Sequence, residues 1–464
     1  MTDRARVMTQ THTAQPPQGA PRVLIEHSEY WLSNIGDLAM MDVTIRRLRE
    51  RWPNGRVGVL TDTPLLLHAY FPGVDAVDTR GSSAWKEAGV LAKVARHVGP
   101  RLVGPLAIGS VTARAWLPQK ARGLKRRSRR LLRLALRGSE GTGPAAHAGL
   151  PPEVQAPVNN RPSPNTLLAA DSSSLVLALG GGYLTDQDLS QATRVLNLLE
   201  HAHETGTRTA MIGQGLGPID DPALATRASQ VLPLVDFVAL RERRKGPELL
   251  EGLGVSPERV TVTGDDAIEL AYALRRPDLG SDIGVCLRVA GYSPVSGAAK
   301  SAVGSALQTM AGELQAGLVP VMIAEYRSQD RRSTLPLLRG YPQRRRPLGR
   351  FARPQDVAAQ VGGCRVMVTG AYHAAVFALS QGIPVLAVTS SSYYDDKFLG
   401  LAGMFGTGLE LVSLGSEDLE ERLLSGVRGA WDRAHDVRPA LLARAAEQIA
   451  ASRQAFNRAC GMVQ

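Results

Sequence analysis

The sequence predicts an α/β protein of two domains, each built on a parallel sheet. Three observations carry that expectation. The chain has 464 residues, too many for one ordinary hydrophobic core. Short apolar runs alternate with helical periodicities along most of its length, the pattern of strands buried on both faces. Glycines and polar residues gather just after those runs, where open parallel sheets bind their ligands.

The alternation begins with Val23-Leu24-Ile25, followed by the polar turn Asn34-Ile35-Gly36-Asp37 and a helical period from Leu38 to Arg51 with Met41, Ile45 and Leu48 on one face. Val57–Leu60 and Val74–Val77 read as the next two strands. From about Ser82 to Pro164 the pattern weakens, and residues 118–165 read as a basic, Pro/Gly-rich insertion. Alternation resumes with the strand Leu175–Leu179, ending in Gly180-Gly181-Gly182, and a helix over Asp188–Thr205. Three further strands follow: Thr209–Ile212 ending in Gly213-Gln214-Gly215, Phe237–Leu240 ending in Arg241-Glu242, and Val260–Val262 ending in Gly264-Asp265. The polar stretch Arg275–Ser281 marks a boundary. The N-terminal domain is therefore placed at 22–277, after a disordered tail over 1–21, and the C-terminal domain at 278–464. Strands in the second domain are expected at Ile283–Leu287, Val319–Ala324, Val366–Thr369 and Pro384–Val388, with helices over Asp418–Cys460.

Charge narrows the function. The formal net charge is +11, but nine Lys/Arg and no acid lie between Lys120 and Arg137; removing those nine from +11 leaves +2 for the rest. One basic segment on a near-neutral protein argues against a nucleic-acid binder. Arginines interleaved with Leu124, Leu131, Leu132 and Leu134 allow either a solvated face or peripheral contact with anionic lipid. Three widely spaced cysteines, Cys286, Cys364 and Cys460, point to reduced thiols and no zinc site. A polar N-terminus and the lack of a long apolar run point to a cytoplasmic protein, with the inner membrane face as a further location if the basic segment meets lipid.

Several positions at strand ends could carry chemistry. Gly180, Gly181 and Gly182 let a backbone approach closely, either to cradle a charged group or to make a tight turn. Asn34, Gly36 and Asp37 open a helix, where Asn34 can cap, the helix N-terminus favours an anion and Asp37 can accept from a sugar hydroxyl. Arg241 is suited to gripping a carboxylate or phosphate, or to a salt bridge across the sheet end. His373, where a strand gives way to a small-residue helix, is a candidate acid or base; a capping or core role is the alternative.

The ordered set of motifs resembles the polysaccharide pyruvyl transferase family over about Arg22 to Gly406. The matching stretches are Asn34–Asp37, Leu179–Leu184, Gly213–Pro218, Arg241-Glu242, Thr263–Asp265, Val285–Arg288, Tyr372-His373 and Gln381–Pro384 followed by Lys397. The resemblance implies two Rossmann-like domains facing a cleft, as in GT-B-type glycosyltransferases. It implies phosphoenolpyruvate as donor, a sugar diol of a glycan or glycolipid as acceptor, a pyruvate ketal as product, and a place in exopolysaccharide or cell-wall glycan biosynthesis. No cofactor or metal is implied. His373, Arg288 and Arg241 fall on catalytic positions; Gln214, Asp265, Tyr372 and Lys397 join Asn34, Gly36, Asp37, Gly181 and Gly182 as substrate-binding positions. Acceptors expected are a sugar, an oligosaccharide or a lipid-linked glycan. One departure stands out: the family pattern has an arginine where this chain has Ala371, with Arg327 as a substitute by position. Two alternatives follow, a nucleotide-sugar-dependent glycosyltransferase on the same architecture and a non-catalytic relative that binds glycan or a partner.

Overall fold

Two parallel sheets organise the chain in the computed structural model, which describes residues 20–27, 30–81, 84–85, 89–110, 161–291, 293–326 and 329–463. The basic segment 120–137, most of the expected insertion, the N-terminal tail to residue 19 and Arg327 lie outside the described residues.

The first sheet runs in the order β3-β2-β1-β4-β6-β7-β8, with β5 paired beside β6. Its strands are β1 (Arg22–Glu26), β2 (Arg56–Thr61), β3 (Asp75–Asp78), β4 (Leu175–Ala178), β5 (Gly181–Leu184), β6 (Arg208–Leu216), β7 (Phe237–Leu240) and β8 (Val260–Val262). The second sheet runs in the order β10-β9-β11-β12-β13, with β9 (Asp282–Cys286), β10 (Leu318–Pro320), β11 (Cys364–Thr369), β12 (Val385–Thr389) and β13 (Leu409–Ser413). Every pairing in both is parallel. The central strands are aliphatic on both faces because helices cover both faces; Leu24 and Ile25, successive residues of β1, are each fully buried.

The structure departs from the sequence-based expectation at identifiable places. Gly181 and Gly182 begin strand β5 rather than forming a turn, and Gly213-Gln214-Gly215 lies inside β6 rather than after it. Glycine reads as a strand terminator, but here parallel pairing to β6 carries the chain through. The first helix starts at Ile35, earlier than its apolar period, because the Asn34 side chain accepts a hydrogen bond from the Gly36 amide and caps it. A helix, Pro164–Asp171, begins at the end of the expected insertion. The strand expected at Val319–Ala324 shortens to β10. Strand β13 lacks a clear sequence signal, since Leu409-Glu410-Leu411-Val412-Ser413 is only half apolar.

One apolar core joins the sheets. It contains residues of the helices Ile35–Arg51, Ala267–Ala273, Pro354–Val361, Tyr372–Ser380 and Ala434–Gly461, and side chains from β1, β4, β11 and β12. The last helix packs back onto Ala267–Ala273 and onto β6 and β7. A buried ionic cluster fastens it there. Arg47, 4% exposed, donates to Glu269 Oε2 at 2.6 Å and to Ser452 Oγ at 2.8 Å, while Arg453 reaches Glu269 Oε1 at 2.6 Å. Burial pushes Glu269 up, but Arg47, Arg453 and Arg46 outweigh it and hold the carboxyl at about 2.

Glu269→Gln should therefore leave Arg47 buried without its main counter-charge and cost about 3–5 kcal/mol. The depressed pKa fixes the sign of the pH dependence. The carboxylate's contribution is complete above the ordinary value of 4.5 and lost as pH falls through about 2. Urea melts of both proteins should show a gap at neutral pH that closes between those values; a gap that does not change with pH contradicts the assignment.

Candidate functional site

Both sheets place their switch points, where strand order reverses, toward a shared cleft. In the first sheet the reversal lies between β1 and β4, and in the second between β9 and β11. Residues following these strands line one cavity of about 730 Å³: Asn34 and Asp37 after β1, Gly182 and Tyr183 after β4, Arg288 after β9, and Ala371 to His373 after β11. Backbone bonds stitch the two sides together at its edge. The Ile35 amide donates to the Ile323 carbonyl at 2.9 Å, and the Glu325 amide to the Ser33 carbonyl at 2.8 Å.

Three cations converge on this cavity, and each is positioned by its neighbours. Arg241, 3% exposed, lies 3.4 Å from Asp265 Oδ2 and stacks over the Tyr372 ring at 4.2 Å. It fills space that only a glycine leaves open, since a Cβ on Gly215 would sit 2.5 Å from its Nε. Lys397 shares a short hydrogen bond with the Tyr393 hydroxyl, which in turn donates to the Gly182 carbonyl at 3.1 Å. A Cβ on Gly182 would fall 2.5 Å from the Lys397 ammonium. Burial, reinforced by Arg241 and Arg288, pushes Lys397 well below the usual lysine range, with Asp37 opposing. Arg288 lies 3.3 Å from Asp330 Oδ1; the other Asp330 oxygen accepts from the Ile323 amide at 3.0 Å and the Ala324 amide at 2.6 Å. The carboxylate that steadies Arg288 is thus itself fixed by backbone.

His373 stands against the opposite domain. Its ring fits over Gly36, where a Cβ would lie 2.0 Å from the ring atoms Cγ and Nδ1. His373 Nε2 is 3.6 Å from Asp265 Oδ2, within ion-pair reach but too long for a hydrogen bond. Burial pushes Asp265 up, yet His373, Arg241 and the Ala267 amide together hold it below its ordinary value. Asp37 shows the reverse balance. Burial raises its carboxyl to about 6 against the pull of His373, Arg241 and Lys397, and Asp265 adds to the rise.

Of the positions expected from sequence, Asn34, Asp37, Gly182, Arg241, Arg288, Tyr372, His373 and Lys397 line the cavity. Asp265 stands behind it, holding Arg241 and His373. Gly36 acts by making room for His373. Gly181 pairs with Gln214 in the sheet and is not on the wall. Gln214 is fully buried and donates to the carbonyls of Ala178 and Leu179, both at 3.0 Å, so it fastens the sheet end rather than facing the cavity. Ala371 lines the cavity, so no charge is presented where the expected arginine would stand.

Sequence reasoning missed Asp330 and Tyr393. Asp330 acts on Arg288 from 42 residues away and carries no local signal. Tyr393, four residues before Lys397 on one helix, could have been found from that spacing. A second cavity of about 250 Å³ opens beyond the carboxyl ends of β1 to β3, lined by Glu26, Asp62, Arg80 and Arg194 among others. Burial raises Glu26 to about 7, opposed by Arg194 and by a hydrogen bond from Tyr30. The helix Leu189–Glu204 borders both cavities, with Gln191 at the first and Arg194 at the second. No cluster of three His, Cys, Asp or Glu among the described residues is arranged to hold a metal ion.

Two parallel-sheet domains enclosing a cationic cleft define a GT-B fold. Solved structures agree at the level of fold. A Listeria monocytogenes protein assigned as a UDP-N-acetylglucosamine 2-epimerase is 14% identical, with a TM-score of 0.53, covering 95% of this chain and 94% of its own. The UDP complex of S. aureus MnaA is 12% identical, with a TM-score of 0.51 over 93% and 94% of the two chains. Anabaena HepE in complex with UDP is 11% identical, with a TM-score of 0.50 over 95% and 99%. A comparison with curated proteins gave no match. The profile of the family described as polysaccharide pyruvyl transferase matches residues 34–392. The chain belongs to that family.

The electrostatics of Asp37 yield a testable expectation for anion binding. As pH rises through about 6, Asp37 acquires its charge beside Arg241 and Lys397 and would oppose an incoming anion. Asp37→Asn removes that effect. Calorimetry with inorganic phosphate should show affinity falling more steeply between pH 5 and 7 in the natural protein than in the variant. Equal slopes would remove Asp37 from the anion site.

Proposed function

We propose that the cleft transfers pyruvate from phosphoenolpyruvate to two hydroxyls of a sugar, forming a cyclic ketal and releasing phosphate. The observation that supports this most is the convergence of Arg241, Arg288 and Lys397 with His373 in one cavity of a chain that belongs to this family. Phosphoenolpyruvate carries a phosphate and a carboxylate on the same central carbon framework, and the spread of cations suits both groups.

In the proposed reaction a proton adds to the donor's methylene carbon and the first sugar hydroxyl adds to the central carbon. The carbon–oxygen bond to phosphate then breaks, and the second hydroxyl closes the ring. Of the two hydroxyl protons lost, one is balanced by the new methyl group and the other leaves on phosphate. His373, beside Asp265, serves as the group that gives and takes these protons. Arg288 and Arg241 stabilise the charge on phosphate and carboxylate. Lys397, held below the usual lysine range by burial and by Arg241 and Arg288, holds its proton more tightly as the anionic donor arrives, because the donor's charge opposes that of the two arginines. Ala371 leaves this work to those three cations.

The acceptor is a glycan, as its free oligosaccharide or on a lipid carrier. Tyr326, Tyr393 and Tyr394 line the same cavity and offer flat apolar faces to a sugar ring, while Asp37 accepts from a hydroxyl. The cavity at Glu26 and Arg194 receives the next sugar of the acceptor, along the helix that borders both.

Incubation with phosphoenolpyruvate and a panel of oligosaccharides should add the mass of a pyruvate ketal to one of them, with phosphate released in equal amount. His373→Ala should lower that turnover by about 10²–10⁴-fold while the protein still melts cooperatively. A folded variant with normal turnover excludes His373 from the chemistry. Transfer from a UDP-sugar, with none from phosphoenolpyruvate, would replace the proposal with glycosyl transfer.

A further inference from the structure

The helix Val90–Val98 and the helical residues 100–110 after it are built inside out. Their inward positions are small: Ala92, Ala95 and Ala107 are each at most 7% exposed, and Gly104 faces Phe351 so closely that a Cβ would lie 2.3 Å from the ring. Most of their large aliphatics point to solvent instead, while Val103 is half-buried and Ile108 packs against the core. Val90 is 77% exposed, Leu91 70%, Val94 52%, Val98 43%, Leu102 68% and Leu106 77%. Ten large hydrophobics are exposed among the described residues, and these six are the only ones that fall together on one continuous stretch. Scattered exposed leucines need no explanation, but a contiguous stripe marks a surface meant for a partner.

Charge identifies the partner. The helical stretch itself carries Lys93, Arg96 and Arg101 and no acid, with Arg101 donating to Asp356 Oδ2 at 2.9 Å, and the sequence that continues from it to Glu140 adds ten Lys/Arg and no acid. A second copy of this chain seated on the stripe would set the cations of the helical stretch, Lys93 and Arg96 among them, against their own kind. An anionic bilayer would neutralise them while receiving the aliphatics, which is the chemistry of an amphipathic helix lying in the membrane interface. The helix is too short to span, and no helix among the described residues is long and apolar enough to cross a membrane. We propose that the exposed face from Val90 to Leu106 docks the protein on the surface of an anionic lipid bilayer. The stripe is carried on the first domain, whose helix Val90–Val98 packs on Pro64–Tyr70, and the proposal stands independently of the pyruvyl-transfer reading.

Vesicle flotation of the full chain tests this. Phosphatidylcholine vesicles containing phosphatidylglycerol should carry the protein at low salt, and pure phosphatidylcholine much less. The combined variant Leu91→Ser, Val94→Ser, Leu102→Ser and Leu106→Ser should reduce the bound fraction at least about tenfold, since several buried methylene groups are lost. In a separate variant, Leu91→Trp, the emission added by the new indole should shift to shorter wavelength when anionic vesicles are added. Equal flotation of the serine variant and the natural protein overturns the proposal, because charge alone would then explain binding. So does absence of flotation by the natural protein, an unshifted emission from the Leu91→Trp variant, or dimerisation that the serine variant abolishes without any lipid binding.

Discussion

The contact between His373 and Gly36 sets the geometry on which the rest of the site depends. The two residues belong to different sheets' helices, and the ring occupies the volume that any side chain at position 36 would need. This brings the start of helix Ile35–Arg51, with Asp37, within the electrostatic reach of His373 that its pKa reflects. The same helix carries Arg47 at its other end, where it is clamped to Glu269 and the C-terminal helix. One helix thus fixes the register of the cleft at its N-terminus and the closure of the two domains near its C-terminus. The apolar core continuous between the sheets makes that register a packed arrangement rather than a hinge contact.

The cleft's charges are set by a small number of buried groups. Arg241 and Arg288 are each held by one buried carboxylate, Asp265 and Asp330. The remaining two groups are driven toward neutrality, Lys397 downward and Asp37 upward. Burial penalises charge in both, and neither alone compensates the other. The proposed anionic donor would meet the two arginines as fixed positive charges, and its own charge would raise the proton affinity of Lys397. Glycines at 182 and 215 are part of this arrangement, because they let the long cationic side chains lie against backbone without displacing it.

Much of the fold is legible in the sequence, since it rests on local signals: aliphatic runs for strands, helical period for their covers, and polar residues at the strand ends. Eight of the twelve named site positions lie on the wall of one cavity for that reason. The failures share a physical cause. Glycine reads as a chain terminator at 181 and in Gly213–Gly215, yet those glycines lie in paired strands, and their role is to make room for or fasten neighbours distant in sequence. Gln214 reads as a ligand contact on its motif, and its amide instead satisfies carbonyls at the end of β4. Asp330 is invisible because what it holds lies 42 residues away. The inside-out helices at Val90–Leu106 escape because an apolar stripe looks the same in sequence whether it faces a core or a partner.

Arg241, Arg288 and Lys397 are proposed to form a single donor site at the meeting of the two switch points, and the other assignments within the cleft lean on that claim. A crystal structure with phosphoenolpyruvate bound tests it most directly. The phosphate and carboxylate should lie within hydrogen-bond distance of those three side chains, with the methylene carbon turned toward His373. Donor bound elsewhere on either domain, with the three cations untouched, would contradict it.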